Sequence, residues 1–203
     1  MRTGIVFTSL AATAALLAAN AQATVVTPVS ATASTSYPGY PASDAIDTGA
    51  GSQFTDWASF NQGAGSSIIL DLGSVLHVTS ANVTDRVTSG GPNGAFFGGT
   101  GDFTTSFSLQ ACADAACTQL LGVAQTFSKT TPVSPTSPSD FLDVVATNLT
   151  GRYIDYTVVT TNGSNPGLSN ITFGVPEPTT WALLLIGMGA VGTSLRSRRT
   201  RLA

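Results

Sequence analysis

Arg152-Tyr153-Ile154-Asp155-Tyr156-Thr157-Val158-Val159 decides the fold class. It is dominated by aromatic and β-branched residues and has no glycine or proline, the composition of a central β-strand. Ser67-Ile68-Ile69-Leu70-Asp71-Leu72 is an apolar run that ends at a Gly73 turn. In Phe103, Thr105, Phe107 and Leu109, alternation puts bulky residues on one face. Between such runs lie clusters of Gly, Pro, Ser, Asn and Asp, and helical periodicity is almost absent. The pattern is that of an all-β sandwich. Strands are predicted at Val29–Ser36, Ser67–Leu72, Val75–Asp85, Thr104–Cys112, Thr118–Phe127, Phe141–Ala146, Tyr153–Thr160 and Leu168–Phe173. Three long loops separate them: Tyr37–Ser66 with Trp57, Ser89–Gly101 with Phe96 and Phe97, and the Pro/Ser/Thr-rich Lys129–Asp140.

Both ends of the chain read as addresses. Arg2 opens a short positive start, and Ile5–Ala19 is an apolar run too short to span a bilayer. Ala21-Gln22-Ala23 is a small-x-small site, so residues 1–23 are predicted to be a signal peptide cleaved after Ala23. The last segment, 175–203, holds Pro176-Glu177-Pro178, then Trp181 and the apolar run Ala182–Gly192, then Arg196, Arg198, Arg199 and Arg201. A single apolar helix over about 181–195 suits a membrane, with the arginines kept inside and the prolines ending any helix before it.

The segment between, 24–174, is long enough for one well-buried domain. Of the 8 basic and 11 acidic residues of the chain, only Arg86, Lys129 and Arg152 and ten aspartates fall within it, a formal charge of −7. Such a surface repels phosphate backbones and excludes nucleic acid as a partner. Cys112 and Cys117 frame Ala113-Asp114-Ala115-Ala116. In an exported protein an even pair at this spacing implies a local disulfide across a hairpin turn.

The tail resembles the PEP-CTERM sorting signal of Gram-negative bacteria: the Pro176-Glu177-Pro178 triplet, an apolar helix and the Arg196, Arg198, Arg199 cluster, in that order. The resemblance implies a precursor anchored in the inner membrane, processing by an exosortase, and release to the cell surface or extracellular matrix. Proteins of this kind are linked to exopolysaccharide and biofilm.

The domain resembles a discoidin, or coagulation-factor type C, domain, a galactose-binding-like jelly roll. The matching pieces are Ala33–Tyr37, Tyr40–Asp47, Asp56–Ser59, Ile69–Gly73, Val78–Val83, Asp85-Arg86, Gly101–Gln110, Gly151–Ile154 and Gly167–Phe173. The resemblance implies binding, commonly of glycans, through loops at one end of the sandwich. It also implies a structural calcium, with Asp44, Asp47 and Thr55 on matching positions and the late acidic ligand replaced by neutral Asn170. Hard oxygens from one tight loop are what calcium needs.

Phe96 and Phe97, adjacent on a glycine-rich loop, are the foremost candidates to stack on a ligand, with Tyr40 and Phe54 second. Arg86 either donates a bidentate pair to sugar hydroxyls or a carboxylate, or salt-bridges Asp85 or Asp102. Trp57 is expected in the core and His77, the sole histidine, on an exposed strand position. No Gly-x-Ser-x-Gly elbow, zinc motif, P-loop or dinucleotide fingerprint appears, so no enzyme is expected. The sequence therefore reads as an exported surface or matrix protein that binds carbohydrate, exopolysaccharide above all, by non-covalent contacts; the alternative is a structural biofilm-matrix component with no specific ligand.

Overall fold

The computed structural model describes residues 23–47, 56–86, 102–129, 142–176 and Gly189. Contacts divide the chain into two units, one of them Val25–Val175 and the other made of Met1–Thr24 with Pro176–Ala203. Arg152–Val159 lies in the second half of the longest described strand. Ile154, Tyr156 and Val158 are fully buried, while Asp155 and Thr157 between them are half-buried. That alternation is the period of two that one covered face imposes.

Among the described residues eight strands form: β1 (Thr24–Val26), β2 (Ser30–Ala33), β3 (Trp57–Ala58), β4 (Ser67–Asp85), β5 (Thr104–Cys112), β6 (Leu120–Ser128), β7 (Leu142–Thr161) and β8 (Gly167–Val175). They make one hydrogen-bonded sheet in the order β1-β8-β4-β7-β5-β6, with β2 also on β4 and β3 also on β8. The long strands β4 and β7 pair twice. Their first register joins Ser67–Asp71 to Tyr153–Thr157, and a second joins Leu76–Thr84 to Leu142–Gly151. Around the first half lie β2 and β5, and along the second lies β8. The sheet turns between them, and both halves feed one core: Ile68, Leu70, Phe107, Leu109, Ile154 and Tyr156 from one, Ala81, Val83, Leu168, Ile171 and Phe173 from the other. Strands that bend at bulges to serve two packed layers are how a jelly-roll sandwich closes its corners.

Two pairs of predicted strands are therefore continuous. Ser67–Leu72 and Val75–Asp85 join as β4, and Phe141–Ala146 and Tyr153–Thr160 join as β7. Gly73 was expected to end a strand; instead, its φ of 79° supplies the corner, where four β4 residues oppose Arg152 alone. Arg152 then locks the corner, its Nε and a terminal nitrogen each donating at 2.9 Å to the two Asp71 oxygens. The Gly73 N–H donates to the same carboxylate at 2.7 Å. Arg152 accordingly holds Asp71 below the usual carboxylate range.

β5 has the predicted limits. β2 is shorter than predicted, β6 begins later, and β1 was not predicted. Phe107 stacks on Tyr156 at 5.1 Å and tilts against Phe127 at 5.3 Å. The Cys112–Cys117 disulfide is formed and closes the β5–β6 turn.

Candidate ligand site at the loop end

The end of β4 fixes the site. Asp85 is the last residue of the strand and is buried, its oxygens accepting the N–H groups of Arg86 at 2.8 Å and Thr104 at 3.1 Å. Lys129 Nζ lies 3.2 Å from Asp85 and 3.6 Å from Asp143, with 3% of its side chain exposed. Burial pushes the Asp85 carboxyl up, and the Lys129 ammonium and the two N–H donors pull it back. Burial, with the Asp85 charge adding to it, also raises the neighbouring Tyr156 hydroxyl well above its ordinary value. This buried cluster pins both flanks of segment 87–101.

Arg86 emerges from the cluster and turns along the rim. Its guanidinium donates at 2.9 Å to the Asn165 carbonyl, sits 3.7 Å from Asp102 Oδ2, and lies 5.0 Å over the Tyr40 ring. Of the acids weighed for it in the sequence, its side chain takes Asp102, while Asp85 takes its backbone N–H. Asp102 has a φ of 67°, and its Oδ1 accepts the Asn165 N–H at 2.9 Å, tying the β7–β8 loop to the same point.

An aromatic row continues from Tyr40. The Tyr37 ring meets it edge-on at 5.9 Å across the Pro38-Gly39 turn, and Phe60 tilts against Tyr37 at 5.5 Å. Tyr37 is 40% exposed and Phe60 48%, so both present ring surface to solvent. Their backbones are held: the Tyr37 N–H donates to the Ala58 carbonyl at 2.7 Å and the Phe60 N–H to Thr35 Oγ1 at 3.1 Å. Polar groups border the row. The Asn61 N–H donates to Asn165 Oδ1 at 2.9 Å, and Gln62 Oε1 accepts from Ser34 at 2.7 Å and Thr35 at 3.1 Å. Flat exposed rings beside amide and guanidinium donors can hold a ligand with an apolar face and a hydroxylated edge.

The structure thus brings together two predicted site residues, Arg86 and Tyr40. Phe54, Phe96 and Phe97 lie outside the described residues. Tyr37 and Phe60 were not singled out from sequence, although the Tyr37/Tyr40 spacing around Pro38-Gly39 was visible there. Trp57 is fully buried, with Nε1 donating to the Thr35 carbonyl at 2.9 Å, as expected of a core residue. His77 is exposed on β4, 3.1 Å from Thr150 Oγ1.

Of the residues matched to a calcium site, Asp44, Asp47 and Asn170 are described. Asp44 lies in the 3-10 turn Ala42–Ile46, which packs against β8, the strand that carries Asn170. Burial raises the Asp44 carboxyl, the Ser43 hydroxyl lowers it, and the Asp47 charge raises it again. Asn170 Oδ1 is buried with no hydrogen-bond partner among the described residues. Carboxylate and amide oxygens are the hard donors that calcium takes. Among the described residues no three His, Cys, Asp or Glu side chains gather as a metal group, so such a site would depend on neutral oxygens. Thr55 lies outside the described residues.

Comparison with solved structures places the architecture. The family 32 CBM from C. perfringens NanJ, in complex with galactose, matches with a TM-score of 0.52 at 18% identity, over 74% of this chain and 99% of that one. CpGH89CBM32-5 from Clostridium perfringens, in complex with GalNAc-β-1,3-galactose, matches with a TM-score of 0.50 at 16% identity, over 71% and 93%. The lectin domain of lectinolysin complexed with Lewis B antigen matches with a TM-score of 0.50 at 17% identity, over 71% and 90%. The fold is their jelly-roll sandwich. No curated protein matches the sequence.

Residues 174–199 match the PEP-CTERM protein-sorting motif. The motif indicates an exported protein held as a membrane-anchored precursor and processed by an exosortase. Pro176 is described; Glu177, Pro178, Arg196, Arg198 and Arg199 are not, nor is the predicted helix at 181–195 apart from Gly189. Among the described residues no helix is long and apolar enough to cross a membrane. The signal peptide lies outside them up to Ala23. The motif begins inside β8: Gly174 pairs with Ser80, and its carbonyl accepts from Thr79 Oγ1 at 3.3 Å. The site lies at the opposite end of that strand, because Leu168 pairs with Asp85. The six residue steps of strand from Leu168 to Gly174 separate the two by roughly 20 Å.

Proposed function

We propose that this protein is exported, sorted through its C-terminal motif, and binds carbohydrate non-covalently at the loop end of its jelly roll. The observation that carries the reading is the exposed row Tyr37–Phe60 backed by Tyr40 and Arg86. A sugar ring offers a C–H face to the aromatic rings and hydroxyls to the amides of Asn61, Gln62 and Asn165 and to Arg86. Phe96 and Phe97, on the segment that leaves Arg86, would extend the aromatic surface. The galactose and GalNAc-β-1,3-galactose complexes of the similar modules support a glycan as the ligand class.

Exopolysaccharide of the cell surface or matrix is the proposed polymer, since the sorting motif delivers the domain there, and the source would be a Gram-negative bacterium in a biofilm. Calcium, held by Asp44, Asp47, Thr55 and Asn170, would brace the loop beside the site without contacting the sugar. Screening the full-length chain in mild detergent against immobilised polysaccharides tests the reading. Retention on at least one polymer, competed by its soluble form, is expected. No retention on any polymer would leave the structural matrix component as the better account.

A further inference from the structure

Building on the carbohydrate reading, we infer that the site takes an uncharged polysaccharide and disfavours polyuronates. Every Lys and Arg of the domain is already engaged. Arg152 is committed bidentately to Asp71 at the corner. Lys129 is buried between Asp85 and Asp143. Arg86 is the only base at the site, and it faces Asp102 Oδ2 at 3.7 Å, the Asn165 carbonyl and the Tyr40 ring. Segments 48–55, 87–101 and 130–141 contain no Lys, Arg or His, so no further loop supplies a cation.

Acids outnumber these bases throughout, leaving the domain with a formal charge of −7. A polyanion gains affinity by meeting several clustered cations, and here it meets one neutralised guanidinium inside a repelling field. The remaining groups are non-ionic: the Tyr37 and Phe60 rings, the exposed amides of Asn61 and Gln62, and the half-buried amide of Asn165. Stacking and neutral hydrogen bonds are insensitive to salt, whereas repulsion between exposed charges is screened as ionic strength rises. Asp102 sets the preference, because it cancels the one charge that could attract a carboxylate.

Titration calorimetry on the full-length chain tests this, with galactomannan and dextran as neutral probes and alginate as the polyuronate, at about 25 and about 500 mM NaCl. Binding of a neutral probe is expected, changing less than about twofold with salt, with alginate at least about tenfold weaker at low salt. Alginate bound as tightly as the better neutral probe, and weakening with salt, would overturn the inference while leaving carbohydrate binding intact. Failure of all three probes together with failure of the polysaccharide screen would overturn both.

Asp102→Asn supplies a second arm. Asparagine keeps the oxygen that accepts the Asn165 N–H and tolerates the positive φ, but frees Arg86 of its counter-charge. Alginate affinity at low salt is expected to rise at least about threefold, with a thermal melt to show that the fold is kept. No gain for alginate would overturn the role given to Asp102.

Discussion

Replacing Lys129 with Met tests how the loop end is held. The ammonium is the side-chain counter-charge of buried Asp85, at 3.2 Å, and also lies 3.6 Å from Asp143. Methionine keeps most of the stem's bulk and removes the charge, leaving the Asp85 carboxylate with the Arg86 and Thr104 N–H groups alone. Breaking a buried pair in this way costs about 3–5 kcal/mol. In a domain of this size that lowers the unfolding midpoint by roughly 6–20 °C. The effect also has a pH signature. Burial already holds Asp85 above its ordinary value while Lys129 pulls against the rise, so losing Lys129 raises the carboxyl further. A folded-state pKa above the unfolded one means that the folded state takes up the proton. The penalty is therefore full above the folded value, shrinks as pH falls through it, and disappears below the unfolded value of 3.8. Thermal melts of wild type and variant at about pH 7.5 and about pH 4.5 measure it. A large deficit at the higher pH and a smaller one at the lower is expected, with Asp85→Asn in the same chain recovering much of the loss. A deficit below about 1 kcal/mol at neutral pH, or equal deficits at both, would refute the reasoning.

Three further expectations follow from particular contacts. A Cβ at Gly167 would overlap the Trp57 carbonyl, so Gly167→Ala should separate β3 from β8 and show as a lowered urea midpoint. Asp71→Asn should destabilise at neutral pH but not near pH 2. Arg152 depresses the folded pKa, so the bond's stability is present above 3.8 and is lost as pH falls through the folded value; urea unfolding at the two pH values checks it. Mass spectrometry of the processed protein should find its C-terminus at or beyond Gly174, because Phe173 is a fully buried core residue; an end before Phe173 in a folded product would contradict the placement of β8.

Much of the fold was legible because alternation reports a covered face directly. Phe107 and Leu109 were correctly set on the buried side of β5, and Trp57 in the core. What escaped was continuity. Gly73 reads as a terminator in a linear sequence, yet a strand can pass through a positive-φ residue when the sheet folds there and a neighbour such as Arg152 holds the corner. The site was half legible. Arg86 drew notice as one of few bases, but its choice of Asp102 and Tyr40 depends on loops that meet only in three dimensions. Tyr37 and Phe60 carry no local mark that separates an exposed ring from a buried one. Their exposure follows from the route of the chain between β2 and β4, which no short pattern encodes.

The central claim is that the aromatic row at the loop end holds sugar. Titrating a neutral polysaccharide that binds the wild-type chain into a Tyr37→Ala, Phe60→Ala double variant tests it most directly, with a thermal melt to show that the fold is kept. Loss of at least about tenfold in affinity with the melt unchanged is predicted, from two stacking contacts each contributing about 0.5–1.5 kcal/mol and the apolar area they cover. Undiminished affinity in a folded variant would contradict it.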